Sequence, residues 1–223
     1  MQSKISLFFF GIKMRLYLFW QATYSLFLYR SNWRFVKADL LLSAFYLFQN
    51  PYSICRSYLE NRGLEDIHVY GETPLYAFEA ACKKFQISKN QVFYELGSGR
   101  GKLCFWASSY FGFDRVVGIE ENPIFFSKAE KLRALLCIDN MSFVCQDILR
   151  IDYEKADIIY LYSTSMSDNF LKQLLKAFQK LKPGAIVISV SEPLKSELFE
   201  LQDKLLAQFP WGKTHLFCNK KSS

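Results

Sequence analysis

The chain has 223 residues, of which 51% are apolar and 22% charged, a balance that excludes intrinsic disorder and suits one compact domain with a small extra lobe. Its formal charge of +7 carries no long Lys/Arg run, so the surface suits plain solubility or the attraction of nucleic acid, anionic lipid or an acidic protein. The six cysteines, at 55, 82, 104, 137, 145 and 218, form no C-x-x-C pair, and the two histidines are His68 and His215, which argues against a zinc or other metal site.

Cys104 and Cys145 sit in apolar runs and read as buried, reduced thiols, favouring an intracellular, cytoplasmic location.

Residues 1–65 read as an aromatic-rich helical extension, and 66–223 as the main domain. Ile5 to Ile12 is apolar but is interrupted by Lys13 and Arg15; the next uncharged run, Leu16 to Tyr29, has 14 residues. A spanning helix needs roughly 20 apolar residues. No small-residue cleavage site follows the first run, which argues against a signal peptide. Two readings stay open: helices packed on the main domain, or peripheral membrane contact. The second draws on Tyr17, Trp20 and Tyr24 mixed with Lys13, Arg15 and Arg30, as in interfacial helices.

The spacing of Leu75, Phe78, Ala81, Cys82 and Phe85 predicts a helix over 73–85, with Thr73 as N-cap and Pro74 at its first turn. Residues 91–96 form a β-rich run ending at glycines. A helix is expected over 102–110, a strand over 116–119, a helix over 123–137 and a strand over 142–145. A fourth strand is expected over 157–162. The spacing of Leu171, Leu174, Leu175, Phe178 and Leu181 gives a helix stopped at Pro183-Gly184, and residues 185–190 a fifth strand. A last helix is expected over 194–209, a final strand over 214–218 and a solvated tail from Asn219. This alternation predicts an α/β, doubly wound, Rossmann-like sheet of seven mainly parallel strands.

Glu95-Leu96-Gly97-Ser98-Gly99-Arg100-Gly101 follows the first expected strand. Glycine there lets backbone approach a ligand closely. The phosphate-loop pattern G-x-x-x-x-G-K-[ST] fails, because Leu96 and Leu103 occupy defining positions. The dinucleotide pattern needs one residue more between its later glycines. A carboxylate two residues before the first glycine, Glu95, suits a cationic ligand such as S-adenosylmethionine (SAM). Glu120, ending the second strand, is placed to accept both ribose hydroxyls. Asp147 after the third strand is placed for an adenine amino group, with Ile148 packing on the ring.

Together these features resemble the seven-strand SAM-dependent methyltransferases. Tyr70-Gly71-Glu72-Thr73, whose Thr73 lies 22 residues before Glu95 (95 − 73), is similar to an element of the non-SET histone lysine methyltransferases. It also resembles related bacterial and mitochondrial protein lysine methyltransferases, including those acting on an ATP synthase c subunit. The resemblance spans about residues 68–192. It implies that Tyr70 and Thr73 contact the methionine end of SAM. It implies further that Glu95, Gly97, Ser98, Gly99 and Gly101 shape the pocket, Glu120 holds the ribose and Asp147 the adenine. The histone enzymes carry Asn-Asn-Phe where this chain has Leu161-Tyr162-Ser163-Thr164; a histone substrate is therefore not implied.

Tyr160 and Tyr162, two apart on one strand face, are the candidates to line a channel in which a protein lysine arrives neutral. Their alternative is core packing. The competing functions are an RNA or small-molecule methyltransferase, against which no Asn-Pro-Pro-Tyr type motif follows the fourth strand, and a non-catalytic, membrane-associated module.

Overall fold

The computed structural model describes residue 20 and residues 23–63, 70–164 and 166–222. The apolar run 5–12, residues 16–19 and 21–22 of the run 16–29, and His68 lie outside the described residues. Among the described residues, no helix is long and apolar enough to cross a membrane.

Seven strands make one sheet in the order β3-β2-β1-β4-β5-β7-β6. They are β1 (Val92–Leu96), β2 (Arg115–Ile119), β3 (Met141–Val144), β4 (Ile158–Leu161), β5 (Ile186–Val190), β6 (Phe199–Phe209) and β7 (Gly212–Lys221). The first five run parallel, and β7 is antiparallel to both β5 and β6. The central strands are Val/Ile-rich and buried because helices cover both faces. Alternation divides their side chains between two cores. Phe93, Val116, Ile158 and Ile188 face one; Tyr94, Val117, Ile159 and Val187 face the other.

The first core lies under α1 (Trp33–Phe45), α3 (Leu75–Lys84) and α4 (Lys102–Trp106), with α2 (Pro51–Asn61) alongside. Asn32 caps α1 and Asn50 caps α2, each side chain accepting from a backbone N–H of the first turn. Tyr29, Phe35, Ala38 and Leu42 join Phe78, Phe105 and Trp106 in one continuous cluster. Burial of each large side chain there stabilises the fold by roughly 2–3 kcal/mol. Asp39 of α1, itself buried, pairs with Lys102 of α4 at 3.1 Å. The second core is covered by α6 (Asp168–Ala177) through Leu174, with Phe178 following. Between β2 and β3 runs α5 (Pro123–Leu135), capped by Asn122 and opened by Pro123.

Four sequence expectations need correction. Residues 199–209, expected within a helix over 194–209, form β6 instead, paired with β7 almost throughout. Leu194, Leu198, Leu201 and Leu205 have helical spacing, but the cross-strand pairing of a long hairpin overrides that pattern. The expected tail is part of β7, and Asn219 is fully buried. Cys145 is exposed, because the chain has already left β3 at Val144. The helix of 75–84 starts one residue after Pro74, and Thr73 does not cap it; its hydroxyl meets that of Tyr160.

The Asn219 amide ties β7 to β5 and to the chain leading into β6. Its nitrogen donates to the Val187 carbonyl at 2.9 Å and the Ser189 hydroxyl at 3.0 Å, and its oxygen accepts from Leu194 N–H at 2.9 Å. Asn219→Ala strands these buried partners and should cost about 1–3 kcal/mol in urea unfolding. An unchanged midpoint would show that the network contributes nothing.

Candidate functional site

The site begins where β1, β2 and β3 end in step. Leu96 pairs with Ile119, and Ile119 with Val144. The Gly97 and Ser98 N–H groups both donate to the Ile119 carbonyl, at 2.9 and 2.8 Å, and Glu120 N–H donates to the Val144 carbonyl. Glu95, in the last two residues of β1, Glu120, just past β2, and Asp147, three residues past β3, therefore all fall at the carboxyl end of the sheet.

Gly97 has a φ of +73°, and a β-carbon there would meet nothing within 4 Å, so the loop presents open space at that edge. Gly99 has a φ of +53°, and a β-carbon would lie 2.9 Å from the Tyr70 ring. Only glycine allows both that backbone conformation and that approach. Gly101 N–H closes the turn by donating to the Ser98 carbonyl at 2.8 Å. The Ser98 hydroxyl is buried without a partner among the described residues, an uncommon state for such a group.

One oxygen of Glu120 accepts from Gly99 N–H at 2.7 Å, and the other from Asn122 N–H at 2.8 Å. Burial pushes its carboxyl upward while these two bonds hold it down. Glu95 is 8% exposed. Burial raises its pKa to about 8, opposed by a hydrogen bond from the Cys104 thiol and reinforced by the charge of Glu120. Asp147 caps a short 3₁₀ turn by accepting from Leu149 N–H. Ile148 is half-buried against the second core.

Tyr70 stacks on Phe125 with ring centroids 5.2 Å apart and donates to Glu72 at 2.7 Å. Glu72 also holds Arg100 of the glycine loop through two bonds, at 2.5 and 2.8 Å. Burial would raise the Glu72 carboxyl, but Arg100, Lys102 and the Tyr70 hydroxyl hold it below the usual carboxylate range. Thr73 bonds Tyr160, which is buried at the end of β4. Burial drives the Tyr160 phenol far above its ordinary value. Tyr162, half-buried just beyond, meets Trp211 edge-on at 5.6 Å.

Sequence reasoning missed three participants. Arg100 is a variable position within the glycine motif, and its role depends on a partner 28 residues away. Tyr46 lies under Arg100, with the guanidinium 5.2 Å from its ring. Trp211 lies in a stretch expected to link a helix and a strand; the one available signal was Pro210-Trp211-Gly212, a turn sequence carrying a large aromatic.

The residues fit a bound SAM. Carboxylates suit its cationic ammonium and sulfonium, the glycine loop is open at Gly97, and Ser98 has hydrogen-bonding capacity to spare. The raised pKa of Glu95 gives a signed expectation. Between pH 4.5 and about 8 the unfolded chain has lost this proton and the folded apoprotein keeps it, so this group's contribution to stability falls as pH rises. A cation beside Glu95 expels the proton. SAM affinity should therefore rise from pH 6 towards 8 and then level off, and Glu95→Gln should flatten the slope, measured by isothermal titration in buffers of different ionisation enthalpy. A pH-independent affinity in the parent protein would remove Glu95 from the binding linkage.

Comparison with known proteins gives concordant results. The family model described as the ANTKMT methyltransferase domain matches residues 95–197. A protein-lysine N-methyltransferase of Saccharolobus islandicus (strain REY15A) is 24% identical over 127 residues, 54% of this chain and 74% of its own. An uncharacterized protein of Methanothermobacter thermautotrophicus is 43% identical over 67 residues, 30% of this chain and 25% of its own. An RNA methyltransferase from Salinibacter ruber, solved with S-adenosyl-L-homocysteine, aligns with a TM-score of 0.57 at 23% identity, covering 68% of this chain and 94% of that one. TrmN from Thermus thermophilus aligns at 0.55 and 15%, covering 64% and 47%. The shared sheet establishes the fold, and the matched segment opens at Glu95 and contains the glycine loop and the Glu120 and Asp147 edge. The chain has the class I methyltransferase fold, and nearly half of it matches a methyltransferase family model.

Proposed function

We propose that the chain methylates the side-chain amine of a lysine in a protein. The observation that carries this reading is the aromatic end of β4, where Tyr162 lies beside the Tyr70–Thr73 segment and Tyr160 bonds Thr73. The protein-lysine N-methyltransferase relative supports it.

Bound SAM supplies an electrophilic methyl group on a sulfonium. Glu95, Ser98 and the glycine loop hold its methionine end with Tyr70 and Thr73; Glu120 takes the ribose, and Asp147 with Ile148 the adenine. Holding two reactants in line is the larger part of this catalysis. Tyr162 lines the approach and keeps water from the incoming amine, which favours its neutral form. With SAM held there, its sulfonium would supply the methyl group to the lysine nitrogen's lone pair, the C–S electron pair going to sulfur, and the amine would shed a proton to solvent. Glu72 is committed to Arg100 and Glu120 to backbone N–H groups, so neither takes this proton.

The charge of +7 and the RNA methyltransferase neighbour favour RNA as a second acceptor class. Exposed Phe27, with Arg30 over its ring, and exposed Trp33 beside Arg34 in sequence support a peripheral lipid contact for the extension. Incubation with radiolabelled SAM and a cell extract separates the acceptors: the label should resist nuclease, vanish with protease and appear as methyl-lysine on hydrolysis. Nuclease-sensitive label would transfer the assignment to RNA. Tyr162→Ala should lower kcat/KM for protein roughly 10–100-fold with SAM affinity retained.

A further inference from the structure

Glu95 lies on the side of β1 that faces the first core. Phe93, two residues earlier, belongs to that core, and strand side chains alternate, so the Glu95 carboxyl is directed beneath the helices. Its partner across the pairing with β2 is Gly118. A glycine inside a strand marks a close approach by another group. Gly118 has no left-handed φ, so conformation does not call for glycine there; space does. A β-carbon would lie 2.6 Å from Phe143 Cδ1 and 2.9 Å from the Cys104 sulfur.

The space is taken by that sulfur. Cys104 of α4 is fully buried, and its thiol donates to Glu95 Oε2 at 3.0 Å. The other titratable groups that act on Glu95 are Glu72, Glu120 and Tyr160. Each is engaged elsewhere: Glu72 with Arg100, Glu120 with the Gly99 and Asn122 N–H groups, and Tyr160 with Thr73. Among the described residues, Cys104 is therefore the one side chain that donates a hydrogen bond to the Glu95 carboxylate. Such a donor favours the charged form of an acid that burial and two nearby acids oppose. Ser98, three residues along, keeps a buried hydroxyl without a partner among the described residues, so the same loop has further polar capacity for a ligand.

We propose that Cys104 is a positioning residue for cofactor binding: its thiol, in the space that Gly118 leaves open, holds the Glu95 carboxylate ready for the cationic end of SAM. This rests on the reading of Glu95 as a SAM-binding acid and not on which acceptor is methylated. A thiol that only fills the core would affect stability alone; a thiol that serves Glu95 also sets the pH at which SAM binds.

The test compares the parent protein with Cys104→Ala, Cys104→Ser and Cys82→Ala. Cys82 of α3 is a second buried thiol in the same core and controls for lost packing. SAM affinity is measured by isothermal titration from pH 6 to 8.5, and each variant is read as a ratio to the parent, in which titration of SAM itself cancels. Cys104→Ala should bind SAM about three- to tenfold more weakly at pH 6–7, with the deficit shrinking as pH rises. Cys104→Ser restores a donor and should stay within about twofold of the parent. Cys82→Ala should show no pH-dependent deficit. In the apoprotein, the infrared band of the protonated Glu95 carboxyl, assigned by its loss in Glu95→Gln, should titrate at a higher pH in Cys104→Ala than in the parent. Parental pH profiles in Cys104→Ala would overturn the proposal and leave the SAM reading of Glu95 standing. A deficit equal at every pH, or one shared by Cys104→Ser or Cys82→Ala, would overturn it by assigning Cys104 to packing. A parent protein that binds no SAM would overturn the cofactor assignment and this proposal with it.

Discussion

Hydrogen bonding that brings three parallel strands to an end on one line governs what this edge of the molecule can hold. Because Ile119 accepts from both Gly97 and Ser98, and Val144 from Glu120, the residues just past each strand share a rim. Parallel strands give that rim a single chemical sense, since every strand arrives with its carboxyl end. The acids at 95 and 120 feel each other's charge for that reason, although they are distant in sequence.

Crowding carboxylates under protein is unfavourable without compensation, and the structure divides the charge two ways. Glu72 has an internal partner, Arg100, in a buried pair whose geometry satisfies both carboxylate oxygens. Breaking such a pair is costly because the survivor is left unpaired. It fastens the 70–73 segment to the glycine loop. Among the described residues Glu95 has no cationic partner of that kind: it has a thiol, burial and a second acid nearby, and its pKa climbs to about 8. A site that raises an acid in this way is best relieved by an arriving cation. The paired acid therefore serves architecture, and the acid at 95 is the one whose burial an arriving cation would relieve.

Much of this was legible in the sequence because it is local. A strand, a glycine turn and an acid at fixed spacing are read within a dozen residues, and Glu95, Gly97, Gly99 and Glu120 stand where that spacing puts them. The Tyr160–Tyr162 alternation was legible for the same reason. What escaped depends on partners far along the chain. Leu194 to Leu205 looks helical until β7 is present to pair with it. Asn219 looks like a tail residue until Val187, Ser189 and Leu194 surround it. Arg100, Tyr46 and Trp211 carry no motif; each acquires meaning from a contact.

The amino-terminal helices bear on the same site. Tyr46 presents its ring to both Arg100 and Lys128, at 5.2 and 4.4 Å, and Lys128 donates to the Phe45 carbonyl and to Gln49. Tyr52 meets the Tyr70 ring edge-on at 5.3 Å. Aromatic faces beside the buried Arg100 replace some of the hydration that cation loses. They also keep water from the Glu72–Arg100 pair, where a low dielectric strengthens the attraction. The extension and the glycine loop are thus one electrostatic unit. Removing residues 33–61 would expose Arg100, Glu72 and Tyr70 together, so the boundary suggested by composition near residue 65 separates segments of sequence that the site itself joins.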